Sequence, residues 1–445
     1  MTAGRAPGGV EAAAAPAPAP ASASAWAWVL LLCLVQVVST MDRGMLALVI
    51  DPVRADLGIS ELQVALLLGF AFALFYVCAG LPMGLLADRV NRRRLLLAGI
   101  VVWSLATVAG GLAQDFGHMF ASRLFVGVGE AVLAPCAVTL ISDAFPPQSR
   151  GRPMSIYMYG TMTAYGVGSL LSGYVLQLAP TGAFEGFAPL RGLAPWRIAF
   201  LFAGACGLVV VLLMLPLREP PRQGAGRGAL QGTRATLAWF VSRWRLFLPL
   251  YSMLATFAMG VSVATAWGAA LLTRAYGFDG ATAGKTLGTG KIVFATLGAL
   301  LAAVLVDRVA RRAGTRGKVL LAAVAALVAI PSCLAGGAGS GALAVLLTCE
   351  VTFASAIFGT TMLSVVPEVT PLGARGLAVA LYSFSMAMIG SSLGPIAVAT
   401  LTERVFGDPA AVGSSMAIVG CVTLLASSAL GLLTARALRD APPAA

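Results

Sequence analysis

Charge is scarce in this 445-residue chain, with Asp, Glu, Lys and Arg together making up 11% of it. A water-soluble globule of that length needs far more polar surface, so a soluble fold is excluded. Histidine is almost absent. His118 alone is present, at the predicted outer end of a helix, where an ordinary exposed side chain is expected and no role as ligand or proton relay. The seven cysteines (Cys33, Cys78, Cys136, Cys206, Cys333, Cys349 and Cys421) all fall in apolar stretches without Cys-x-x-Cys spacing. Neither a disulfide framework nor a metal site is therefore expected, and no cofactor. The run Gly280-Ala281-Thr282-Ala283-Gly284-Lys285-Thr286 imitates a phosphate-binding loop but has three residues between its glycines instead of four. It also follows no strand and runs into an apolar helix, so ATP is not expected to bind there. Residues 1–25 lack the cationic start and short apolar core of a cleaved signal peptide. Rich in Ala, Pro and Ser, they are expected to be a disordered tail.

What the chain does have is apolar sequence, with 59% hydrophobic residues and a mean hydropathy of +0.89. Windows of 18 or more apolar residues predict twelve membrane spans. They lie near 26–50, 62–87, 95–113, 118–142, 154–178, 196–217, 246–272, 283–306, 318–335, 341–367, 376–401 and 411–435. The fold class expected is an all-α membrane protein of two pseudo-symmetric six-helix bundles. Its parts would be a bundle over 26–217, a Gly- and Arg-rich cytoplasmic linker over 218–243, a second bundle over 244–437 and a short tail over 438–445.

Two echoes support duplication. Leu86-Ala87-Asp88-Arg89-Val90 returns as Leu305-Val306-Asp307-Arg308-Val309, an offset of 219, and Arg150-Gly151 returns as Arg375-Gly376, an offset of 225. Duplicated membrane domains that bind a ligand between their repeats are a common plan of secondary transporters. The cations add an orientation, because 21 of the 30 Lys and Arg residues fall in the termini and the loops on their side, against 6 on the other. This positive-inside bias predicts cytoplasmic termini in the plasma membrane, or the inner membrane of a double-membraned bacterium. The net charge of +12 then faces anionic lipid headgroups and needs no nucleic acid to explain it.

The informative residues are charges inside the spans, where each costs about 2.5–3.5 kcal/mol at a helix centre unless partnered or hydrated. Span one carries Asp42 and Arg43; span four carries Arg123 and Glu130, whose i, i+7 spacing puts them with Gly127 on one helix face. At about 1.5 Å of rise per residue, Asp42 stands roughly 24 Å, Glu130 roughly 20 Å and Arg123 roughly 30 Å above the terminal side. These four charges can meet. They could form a static ion-pair network or a proton site, because burial favours the protonated carboxyl and a nearby arginine the ionised one. Glu130 is the first candidate proton carrier and Asp42 the second, with Arg43 and Arg123 as competing cations or receivers of an anionic substrate group. In the second half, Lys291 at roughly 25 Å and Glu350 at roughly 27 Å are expected to pair, chiefly as structural neutralisation. Tyr157, Tyr159 and Tyr165 bring hydroxyls to the same region, and glycines at 160, 166, 168, 173, 390 and 394 would let helices approach closely.

The run Gly84-Leu85-Leu86-Ala87-Asp88-Arg89-Val90-Asn91-Arg92-Arg93 resembles the loop after span two of the major facilitator superfamily. Arg123-Leu124-Phe125-Val126-Gly127-Val128-Gly129-Glu130-Ala131 is similar to its span-four motif, and Met41-Asp42-Arg43 to the span-one motif of its spinster-like branch. Gly390-Ser391-Ser392-Leu393-Gly394-Pro395 resembles the antiporter glycine-proline motif, which antiporters carry in span five. The resemblance implies a rocker-switch transporter with Gly84, Asp88, Arg89 and Arg92 at the gating seam, Asp88 facing the N-terminal end of span eleven. It also implies lysolipid or sphingoid-phosphate substrates. A small amphiphilic or anionic substrate carried with protons by a monomer is therefore expected, or else a drug or organic anion. An enzyme is not expected, as no catalytic constellation accompanies the single histidine.

Overall fold

The computed structural model describes residues 23–146, 149–183, 190–222, 233–371 and 374–440, except for the side chains of Leu81, Asp88, residues 233–237, Arg375 and Asp440. Most of the expected tails, at 1–22 and 441–445, and the middle of the expected linker lie outside the described residues. Among the described residues, ten stretches are long and apolar enough to cross a membrane. One of them, Gly280–Gly337, holds two of the expected spans, because the backbone turns at Gly314 with φ 57° and ψ −153°, which costs glycine no Cβ clash. Another long helix, Gly151–Leu178, is rich in Gly, Ser, Thr and Tyr instead of bulky apolar residues, as suits a helix packed between two others.

The twelve long helices are α1 (Ala23–Leu48), α2 (61–89), α3 (Arg92–Gly111), α4 (Phe116–Ala144), α5 (Gly151–Leu178) and α6 (Pro195–Met214). In the second half they are α7 (Trp244–Tyr276), α8 (280–313), α9 (315–333), α10 (Gly341–Glu368), α11 (375–406) and α12 (Val412–Asp440). Both ends of the described chain lie on one face, here the terminal face; the opposite face is the distal one. α4 is broken just after Glu130, with separate helices Phe116–Glu130 and Leu133–Ala144. Pro135 has no N–H to return to Ala131, which accounts for the break. The region expected as linker carries a short helix, Thr233–Ser242, because Trp239 and Phe240 pack edge-on with each other and against Phe247 of α7.

Within lipid the hydrophobic effect does not draw helices together, so close backbone approach must. The two halves meet along α5 with α8 and α2 with α11. A Cβ on Gly69 of α2 would lie 2.4 Å from the Ser391 carbonyl oxygen of α11, and one on Gly288 of α8 would lie 2.5 Å from the Leu170 nitrogen of α5. One apolar core is confined to the first half, around Trp28, Trp103 and Tyr157. A second joins Met45, Val53, Val64 and Trp196, at the distal end of the first half, to Phe257, Trp267 and Phe358 of the second. The seam is therefore packed shut at the distal face. Toward the terminal face, Gly80 and Gly84 of α2 and Gly359 of α10 have open space where a Cβ would stand.

Candidate functional site

The four charges of the first half come together. Arg123 Nη1 donates to Asp42 Oδ1 at 3.2 Å, and Arg43 Nε stands 3.4 Å from Glu130 Oε2. Asp42, Arg123 and Glu130 are 2–3% exposed, whereas the Arg43 side chain keeps 25% of its surface. Arg43 Nη2 donates to Ser39 Oγ at 3.4 Å. Its guanidinium also lies over the rings of Phe72 and Tyr165, 5.1 and 5.4 Å from their centroids, an electrostatic attraction that holds it in place. Asp42 Oδ2, Glu130 Oε1 and Arg123 Nη2 are buried without a hydrogen-bond partner among the described residues. The network thus has one sealed pair, Asp42 with Arg123, and one pair bordering open volume through Arg43. Gly127 faces elsewhere: a Cβ there would sit 2.4 Å from the Phe72 carbonyl oxygen, so it lets α2 lie against α4.

That volume is a central cavity of about 430 Å³ between the halves, bordered by Arg43, Tyr76 and Tyr165 on one side and Lys291, Phe257 and Ser355 on the other. A smaller chamber of about 150 Å³ continues from it toward the distal face, again bordered by Arg43, Tyr165 and Lys291. A cavity of this size, mostly apolar with a few convergent polar groups, suits a small-molecule ligand. Tyr165 lines it, Tyr157 is buried at 3% exposure, and Tyr159 is hydrogen-bonded to Thr296 of α8 at 2.9 Å.

The expected pairing of Lys291 with Glu350 is not formed, and this expectation is corrected. Thr352 Oγ1 donates to the Lys291 carbonyl at 3.4 Å and Cys349 Sγ approaches the Leu287 carbonyl at 3.5 Å, so positions 349 and 352 of α10 face α8. Glu350, about 100° further round the helix than Cys349, points away, and neither of its carboxylate oxygens has a hydrogen-bond partner among the described residues. Arg92 also differs from expectation. Expected at the gating seam, it is 4% exposed. It bridges Asp143 of α4 at 2.5 Å and Glu219, at the start of the region expected as linker, at 3.0 Å. Arg89 is exposed, Gly84 faces open space, and the side chain of Asp88 lies outside the described residues.

A cluster that sequence reasoning missed locks the distal face. Arg274 of α7 reaches across the halves to Asp51 Oδ1 at 2.6 Å and Glu61 Oε1 at 2.9 Å. Arg54 also binds that Glu61 oxygen at 2.6 Å, and Glu403 of α11 accepts from the Leu62 amide at 3.0 Å. Both ion pairs seen between described residues of opposite halves lie here, so the seam is latched at the distal face.

Two six-helix halves, a central cavity and a seam closed at one end define an alternating-access transporter, built as a multi-pass integral membrane protein. The chain belongs to the major facilitator superfamily, whose family model matches residues 32–395. Over 419 residues it is 25% identical to an MFS-type efflux pump of Mycolicibacterium smegmatis, covering 92% of each chain. It is 30% identical over 190 residues to Protein spinster of Drosophila melanogaster, a match spanning 43% of this chain and 29% of that one. Its fold is similar to the crystal structure of a bacterial homologue of the human lysosomal transporter Spinster in an inward-facing, unoccupied conformation. The TM-score is 0.76 at 24% identity, over 96% of this chain and 100% of that one.

Proposed function

We propose that the protein is a proton-coupled secondary transporter that moves a lysophospholipid or a related amphiphilic anion. The carrying observation is the Arg43–Glu130 contact, a carboxylate 2% exposed whose counter-ion borders the central cavity. Movement of Arg43, driven by substrate or by the rocking of the halves, would remove the charge that keeps Glu130 ionised and let it take up a proton. Asp42, sealed against Arg123, is the second carboxylate of the relay. The cation count favours a cytoplasmic terminal face, which makes the present state inward-facing, with Asp88, Arg89 and Gly84 on the face that closes in the other state. Membrane placement follows the expectation above, as does the division at 218–243. The efflux pump matched over 92% of its length favours a second reading, a proton-coupled carrier of drugs or organic anions, which the same charges would serve.

The test is transport into liposomes holding a pH-sensitive dye under an imposed proton gradient, with lysophospholipid compared against a soluble organic anion. Lysolipid-dependent proton flux in the wild type, lost in Glu130→Gln with gradient-free substrate binding retained, supports the proposal. Flux with the soluble anion alone moves the substrate to the second reading. Driven transport unchanged in both Glu130→Gln and Asp42→Asn removes the carboxylates from the mechanism.

A further inference from the structure

We infer that Lys291 is the anion-docking group of the central cavity and that it makes the site selective for substrates with a single net negative charge. The inference rests on the transporter reading above and narrows its substrate class.

Charge neutrality carries it. Two charged side chains, Arg43 and Lys291, border the two chambers of the cavity. Arg43 is already matched by Glu130, and the pair behind it, Arg123 with Asp42, is matched as well. While both carboxylates are ionised, two of them against two guanidiniums leave the first-half network neutral. Lys291 is different: it is 8% exposed, and no carboxylate oxygen of a described residue stands within ion-pairing distance of it, Glu350 having turned away. On the facing side of α10 stands a thiol, Cys349, whose Sγ approaches the carbonyl of Leu287, one turn before Lys291.

A buried ammonium without a counter-ion is costly in a low-dielectric site. A ligand that brings one negative charge therefore stabilises it most, and a second negative charge would find no free cation as long as Arg43 stays on Glu130. Lys291 also borders both chambers, so an anionic group docked on it sits where the main cavity narrows toward the distal face. The ligand body would then extend along Phe257, Phe358 and Met386, and the hydroxyls of Ser262, Thr265 and Ser391 stand around the same space to accept or donate further hydrogen bonds. A lysolipid with a zwitterionic headgroup does not meet this requirement; one with a net charge of −1 does.

The experiment measures equilibrium binding, without any gradient, to the full chain in nanodiscs of zwitterionic lipid. Two size-matched pairs whose members differ by one negative charge serve as probes: lysophosphatidylglycerol against lysophosphatidylcholine of the same acyl chain, and naphthalene sulfonate against naphthalene sulfonamide. The wild type is expected to prefer the anionic member of at least one pair by about 10- to 100-fold, the size of one charge-assisted hydrogen bond. The preference should fall to near unity in Lys291→Gln, persist in Lys291→Arg and invert in Lys291→Glu when dodecylammonium is offered. A thermal melt of each variant separates misfolding from lost docking, and the Arg variant supplies the rescue. No preference in the wild type, or an unchanged preference in a folded Lys291→Gln, overturns the inference. Because the readout is binding alone, it can fail while Glu130→Gln still abolishes driven transport, and it can succeed while that variant transports normally.

Discussion

The distal latch sets how long the transporter spends in the state seen here, and its strength can be worked from its geometry. Arg274 carries two charge-assisted contacts that exist only while the halves are closed at this face. Such a bond contributes about 1.5–3 kcal/mol when shielded from water. The contact with Glu61, between side chains 8% and 3% exposed, falls in that range at about 2 kcal/mol. Asp51 is 40% exposed, so solvent screening reduces its contact to under about 1 kcal/mol. Removing Arg274 does not strand a bare buried carboxylate, because Arg54 stays on Glu61; the roughly 3–5 kcal/mol of an orphaned charge is not reached. The Arg274→Gln substitution should therefore favour the distal-open state by about 2–3 kcal/mol, roughly 30- to 150-fold. A protein resting at about 99:1 in favour of the closed distal face would move to roughly a quarter to three-fifths open. Spin labels at Ala55 and Ala410, both exposed at the distal face on opposite halves, would report this by pulsed electron resonance as a second, longer distance population. An unchanged distance distribution in a variant that folds and inserts normally would refute the reasoning.

Two further outcomes follow from the packing. Gly69→Val places a side chain where a Cβ already lies 2.4 Å from the Ser391 carbonyl oxygen. Closure of the distal seam should be blocked, seen as a lasting long Ala55–Ala410 distance and transport reduced at least tenfold, a 1.4 kcal/mol effect. Arg92→Gln leaves Asp143 and Glu219, with side chains 11% and 14% exposed, without their shared cation. A stability loss of about 3 kcal/mol is expected, read as a lower melting temperature, while transport per folded molecule stays close to wild type. A transport defect without a stability defect would instead return Arg92 to the gate.

What the chain discloses by itself is height, and what it hides is azimuth. Rise per residue put Asp42, Arg123 and Glu130 at comparable depths, and i, i+7 spacing put Arg123 and Glu130 on one face. Both facts are local to single helices, and the network formed. For Lys291 and Glu350 depth was equally legible, but each sits on its own helix and no spacing rule relates the rotation of α8 to that of α10. Thr352 and Cys349 took the facing positions and Glu350 turned away. The break after Glu130 was written in Pro135 but hidden by the apolar run around it.

The latch was the hardest to see. Arg274 lies 223 residues from Asp51 and 213 from Glu61, and in sequence it is one of a few loop cations on the distal side. The scarcity of charge now turns that position into an argument. On a face with only 6 cations against 21 opposite, topology would tolerate a neutral residue at 274, and orientation gains nothing from an arginine there. Its planar fork does gain two carboxylates from the other half, a geometry that lysine could not reproduce bidentately. Few charges, with Arg274 placed where two halves must part and Arg43 and Lys291 at the central cavity, suit a membrane protein in which such groups serve movement more than solubility.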